Sequence, residues 1–95
     1  MRINELDGRF KGHQYFEYYA SLNKYTELEL FQEAREWCWN SFGPSSEVEI
    51  VMELKQQPKW CWDFNLYHCR ILFRDESTMN WFRLKYADTE KIRRL

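Results

Sequence analysis

The spacing of apolar positions divides this chain into segments of two different periods. From Tyr15 to Leu22 the run YFEYYASL alternates: Phe16, Tyr18, Ala20 and Leu22 share one face, and Tyr15, Glu17, Tyr19 and Ser21 the other. That is the pattern of a strand rich in strand formers. A turn over residues 23–26 follows, and Thr26 with Glu29 three residues on has the form of a capping box. In TELELFQEAREWCWNSFG the period changes to that of a helix. Residues advancing by about 100° each put Leu30, Phe31, Ala34, Trp37, Cys38 and Phe42 on one stripe. Gly43-Pro44 is a stop signal for that helix. Trp39 falls roughly 140° from the centre of the stripe, so it points away from any core the stripe builds.

EVEIVMELK alternates again, with Val48, Ile50, Met52 and Leu54 on one side and Glu47, Glu49 and Glu53 on the other. The pattern predicts an edge strand with one solvated face. After Gln56-Gln57-Pro58, the stretch KWCWDFNLYHCRILFR reads as extended. Trp60, Trp62, Phe64 and Leu66 share a face with Cys61, Asp63 and Asn65 opposite, then Cys69, Ile71 and Phe73 alternate with His68, Arg70 and Leu72. The phase shift near Leu66-Tyr67 predicts a bulge or turn. Asp75 is an N-cap for a short helix that runs into a last strand over residues 82–86, with one continuous helix as the alternative reading.

Residues 1–13 read as an irregular lead-in, and residues 87–95 as a polar, basic tail. The predicted order is β-α-β-β-α-β over a single domain, residues 1–95. This is a ferredoxin-like α+β sandwich, an antiparallel sheet with two helices on one face and the other face open.

Composition narrows the class. The chain has 95 residues, 44% of them hydrophobic and 19% aromatic, enough to build a small core from few large side chains. It carries no run of the roughly 20 apolar residues that a membrane span needs. It has no signal-peptide-like start, and its three cysteines lack framework spacing. The expectation is a cytoplasmic protein with free thiols and no membrane partner. The net charge of −1 hides an asymmetry: residues 27–54 hold seven glutamates against one base, Arg35, whereas residues 55–95 hold nine bases against five acids. Such a bipolar molecule can orient a partner or a second copy of itself.

Candidate chemistry is sparse. Cys38, Cys61, Cys69, His13 and His68 have none of the paired spacing of a zinc site, and His68 and Cys69 point to opposite sides of a strand. Cys38 lies at the C-terminal end of its helix, where the dipole opposes a thiolate. There is no phosphate loop or nucleophile elbow, and Ser45-Ser46 reads as a loop. The sequence therefore predicts no enzyme, no metal and no cofactor.

Two binding readings remain. The first uses aromatic residues on the sheet, Tyr15 and Tyr19 with His68 and Arg70, as a stacking platform for a single-stranded nucleic acid. The RNA-recognition signature is absent, and Glu17, Glu49 and Glu53 would share that face. The second is protein–protein contact through Trp39, Trp60 and Trp62, of a residue type enriched at interface hot spots.

The succession REWCWNSFGP, then WCWDF, then RILFRDESTMNWFRLKY resembles a class of small uncharacterised proteins of tailed bacteriophages, several from large contractile-tailed phages that include cyanophages. The corresponding positions are Trp37, Cys38, Phe42 and Gly43, then Trp60 and Trp62, then Phe73, Arg74, Asp75, Phe82, Leu84, Lys85 and Tyr86. The resemblance covers roughly residues 31–86 and implies a phage origin and an α+β fold. It carries no activity to transfer. Phage proteins of this kind are host-directed accessory factors or minor virion parts. The expectation is a phage accessory protein that binds a host or phage protein, or pairs with itself as a homodimer through its open sheet face.

Overall fold

The computed structural model describes residues 1–9 and 12–86. In chain order the elements are β1 (Arg2–Glu5), β2 (Tyr18–Ser21), α1 (Leu28–Phe42), α2 (Val48–Glu53), β3 (Trp60–Phe64), β4 (Cys69–Phe73) and α3 (Glu76–Lys85). The four strands form one antiparallel sheet in the order β1-β2-β4-β3. The fold is α+β, as expected, but its order is ββααββα.

β4 is central, and all five of its residues are buried. Its two faces belong to different clusters. Cys69, Ile71 and Phe73 join Ala20, Leu22 and Trp60 beneath Phe31, Ala34 and Cys38 of α1 and Met79 and Phe82 of α3. Leu72 and Cys61 face the other way, against Val48 and Val51 of α2 and against Phe16. The predicted pair of helices on one face is present. The second face is not open: α2 and the residues before β2 lie on it.

α2 overturns the predicted edge strand. EVEIVME satisfies both periods, because Val48, Val51 and Met52 also fall at i, i+3 and i+4. The helical reading buries Val48 and Val51 against the sheet and leaves Ile50 and Leu54 exposed. Burial against Leu72 and Cys61 decides between the two periods. The helix ends in a Schellman pair, in which the Gln56 amide donates to the Val51 carbonyl at 3.0 Å and the Lys55 amide to that of Met52 at 3.2 Å. Its left-handed position is held by Lys55 (φ 54°) rather than by glycine, so the usual stop signal is missing.

Residues 1–9 are also more regular than predicted, since they include β1. β1 is an edge strand whose only half-buried residue is Ile3, so it shows no alternation; Ile3 pairs with Ala20. β2 begins at Tyr18 rather than Tyr15, because residues 12–16 form a turn in which the Gly12 carbonyl accepts from the amides of Tyr15 and Phe16. Gly12 (φ 94°) is required there twice over, since a Cβ would meet Leu72 and Val48 side chains at 3.0 Å.

The Thr26 capping box does not form. Asn23 Oδ1 accepts from the Tyr25 and Thr26 amides, and the Glu27 carboxylate accepts from the Asn23 amide. Gly43 ends α1 as predicted, its amide donating to the Trp39 carbonyl. At the other end of the fold, α3 is continuous to Lys85 where a last strand was expected, because Met79, Phe82 and Tyr86 at helical spacing all bury. The predicted tail, residues 87–95, lies outside the described residues.

Asp75 caps α3 as predicted, its side chain accepting from the Thr78 amide at 2.9 Å. That hydrogen bond is the main cause holding its carboxyl below the usual range, helped by Thr78 Oγ1 and Arg74 and opposed by partial burial. A depressed folded-state pKa stabilises the fold above the unfolded value of about 3.9, and the gain fades as pH falls through the folded value. Asp75→Ala is therefore expected to lower stability by about 1 kcal/mol at neutral pH. The deficit should shrink below about pH 4 in urea titrations against pH; a deficit independent of pH would assign the loss to packing instead.

Candidate functional site

The helical stripe flanking the core carries Gln32, Arg35, Glu36 and Trp39 at i, i+3, i+4 and i+7 of α1. Beside it runs β3, whose alternation points Trp60 and Trp62 to the α1 side. Between them lies a groove of about 420 Å³ lined by these six residues. The structure thus brings all three predicted tryptophans into one place, but in three different roles.

Trp60 forms the floor. It is 1% exposed, and its indole Nε1–H donates to the Gly43 carbonyl at 2.7 Å. Trp62 is half-buried, its ring 5.5 Å from that of Trp60. Trp39, at 47% exposure, is the outer wall. Its azimuth away from the core stripe predicted that exposure.

β3 is a sheet edge, and the loop after α1 laces it. Ser45 Oγ donates to the Trp60 carbonyl at 2.6 Å, and the Trp62 amide donates to the Ser46 carbonyl at 3.4 Å. A short parallel bridge joins Glu47 to Trp62. The Ser45-Ser46 pair is therefore structural, occupying backbone groups that would otherwise invite another strand.

Sequence reasoning missed Arg35. Its guanidinium lies 4.3 Å above the Trp62 ring and 5.5 Å from the Phe31 ring. Phe31 stacks on Phe64 at 5.5 Å, and Lys24 sits 5.1 Å over Phe64. The result is a ladder from Lys24 to Trp60 in which each cation is followed by a pair of rings, and it locks the groove's inner wall. A signal was present: Arg35 is the one base among residues 27–54, four positions before Trp39.

The residues predicted for nucleic acid do not form an open row of rings. Tyr19, His68 and Arg70 line a shallow hollow of about 230 Å³. Tyr15 instead packs on the Phe16, Val48 and Val51 cluster. Arg70 is buried and its guanidinium lies 5.2 Å from the Tyr19 ring, while its Nη2 donates to Asp63 at 2.6 Å. Glu49 and Asp63 line the adjoining hollow; of the acids expected on this face, Glu17, Glu49 and Glu53, it holds Glu49.

All three cysteines are free and buried. Burial raises the Cys38 and Cys61 thiols well above the ordinary range and pushes Cys69 up to about 11, so each is held as a neutral thiol. Among the described residues no three His, Cys, Asp or Glu side chains are grouped to hold a metal ion. No helix among them is long and apolar enough to cross a membrane. Comparison with protein-family models, with curated proteins and with solved structures finds no match.

Proposed function

We propose that this chain is a non-enzymatic binding protein that docks a protein partner in the groove between α1 and β3. The observation that carries the reading is Trp39. A large indole nearly half exposed faces a second, half-buried indole across a concavity floored by a third. Exposed tryptophan on rigid elements with a pocket beside it is the anatomy of an interface anchor. The phage resemblance gives this proposal its setting: an accessory protein whose partner is a host or phage protein.

The test uses two exposed tryptophans, Trp39 and Trp81, the latter 63% exposed on α3. Wild type, Trp39→Ser and Trp81→Ser are used as baits in host lysate, and each is measured by size exclusion with light scattering. A partner, or a second copy, retained by wild type and by Trp81→Ser but weakened roughly 30-fold by Trp39→Ser supports the groove, matching a hot-spot loss of about 2 kcal/mol. Retention by Trp39→Ser with loss by Trp81→Ser moves the interface to α3 and overturns the reading.

A further inference from the structure

We infer that the groove between α1 and β3 is a receptor for a carboxylate-bearing peptide segment, with Arg35 as the charged anchor. The inference rests on the docking reading above and adds the chemistry of the partner. A guanidinium stacked on a ring has that face occupied and its edge left for hydrogen bonds. Arg35 is stacked on Trp62, its guanidinium 4.3 Å over that ring, with the Phe31 ring 5.5 Å away. Its Nε is buried with no hydrogen-bond partner among the described residues. The Nε is enclosed, so an incoming carboxylate meets the guanidinium through the part of it that lines the groove.

The surroundings select the anion. Among the described residues Arg35 is the only base lining the groove, and Glu36 lines it too. Glu29 and Glu33 lie on the same helix. One guanidinium matches one carboxylate in a planar two-point contact, and with Glu36 beside it the groove offers a phosphate dianion no second positive charge. Trp39 and Trp62 then supply apolar walls for the residue next to the carboxylate, and Glu36 and Gln32 offer acceptors for the peptide's amides. The groove, at about 420 Å³, takes one or two side chains. The carboxylate has two sources, an Asp or Glu side chain or a chain terminus.

The test is a ¹H–¹⁵N titration following the Arg35 Nε–H and the Trp39 and Trp62 indole N–H signals. Four probes are compared at millimolar concentration: acetyl-Leu-Glu-amide, acetyl-Leu-Gln-amide, acetyl-leucine with its terminal carboxylate, and inorganic phosphate. The expected result is a saturable shift of all three signals with the Glu peptide, at least ten-fold weaker with the Gln peptide. The preference should vanish in Arg35→Gln while the sheet amide signals stay in place. Acetyl-leucine acting as well as the Glu peptide identifies a chain terminus as a sufficient source, and acetyl-leucine failing identifies the side chain; both support the inference. Equal binding of Glu and Gln peptides overturns the carboxylate anchor and leaves docking standing. Phosphate binding more tightly than either carboxylate also overturns the anchor. No shift of the indole signals with any peptide overturns both readings. Should Arg35→Gln perturb the sheet, Trp39→Ser serves instead: it must weaken both peptides while keeping the Glu-over-Gln ratio.

Discussion

Trp60→Ala is expected to destabilise the protein by about 3–5 kcal/mol, the range for deleting a buried aromatic ring. Small domains have about 5–15 kcal/mol in total, so this variant should stand at the edge of unfolding at room temperature. The physical reason is that Trp60 serves two parts of the fold at once. Its ring joins the cluster under α1 and α3, and its indole N–H fixes the Gly43 carbonyl at the end of α1. Alanine leaves a cavity at the groove's floor and an unsatisfied carbonyl at its rim. Urea denaturation followed by circular dichroism measures the loss. Trp39→Ser, at the outer wall, should change stability by no more than about 0.5 kcal/mol, as exposed substitutions do. If the two variants lose equal stability, the division of the tryptophans into floor and wall is wrong. Loss of binding in Trp60→Ala would not by itself identify an interface, because its main effect is on the fold.

How far the sequence reveals this arrangement depends on what each residue has to signal. The azimuth of Trp39 alone puts it off the core stripe, and its exposure follows. The hairpin of β3 and β4 is equally legible, since the phase shift near Leu66-Tyr67 marks the turn where the Asn65 amide donates to the His68 carbonyl. Val48–Glu53 is not legible in this way. Its apolar residues satisfy two periods, and the choice is made by burial against Leu72 and Cys61, which are distant in sequence. Lys55 in a left-handed conformation removes the glycine that would have marked the helix end.

Arg35 was hidden for a different reason. Its role depends on Trp62 lying 4.3 Å beneath it, a contact between a helix and a strand that no local pattern encodes. Local periodicity says which way a side chain points. It does not say what waits there. The groove was therefore half legible: its indoles could be picked out as unusual, but not the cation that lines it with them.

Asp63→Ala is the second variant with a large expected effect, and it tests the opposite face of the same strand. The Asp63 and Arg70 side chains are 11% and 5% exposed, with an oxygen-to-nitrogen distance of 2.6 Å. Asn65 Nδ2 also donates to the Asp63 carboxylate, at 3.0 Å. The Asp63 and Arg70 positions pair directly across β3 and β4. Two charges withdrawn from water stabilise little as a pair, because desolvation offsets their attraction, but removing Asp63 takes its carboxylate from a guanidinium that stays buried. Asp63→Ala is therefore expected to cost roughly 3–5 kcal/mol. Asp63→Leu combined with Arg70→Met should recover most of that, since an apolar pair of similar volume carries no desolvation penalty. Urea denaturation of Asp63→Leu, Arg70→Met and the double variant gives the coupling energy directly. A single-variant loss under about 1 kcal/mol would place the pair in the range of solvent-screened surface bridges and remove the ion pair as the tie between β3 and β4. Recovery in the double variant, with the Trp39 and Trp62 indole signals unchanged, would separate this polar face from the groove: the hairpin needs the two positions matched rather than charged, and the proposed docking surface on the other side of β3 does not depend on their charge.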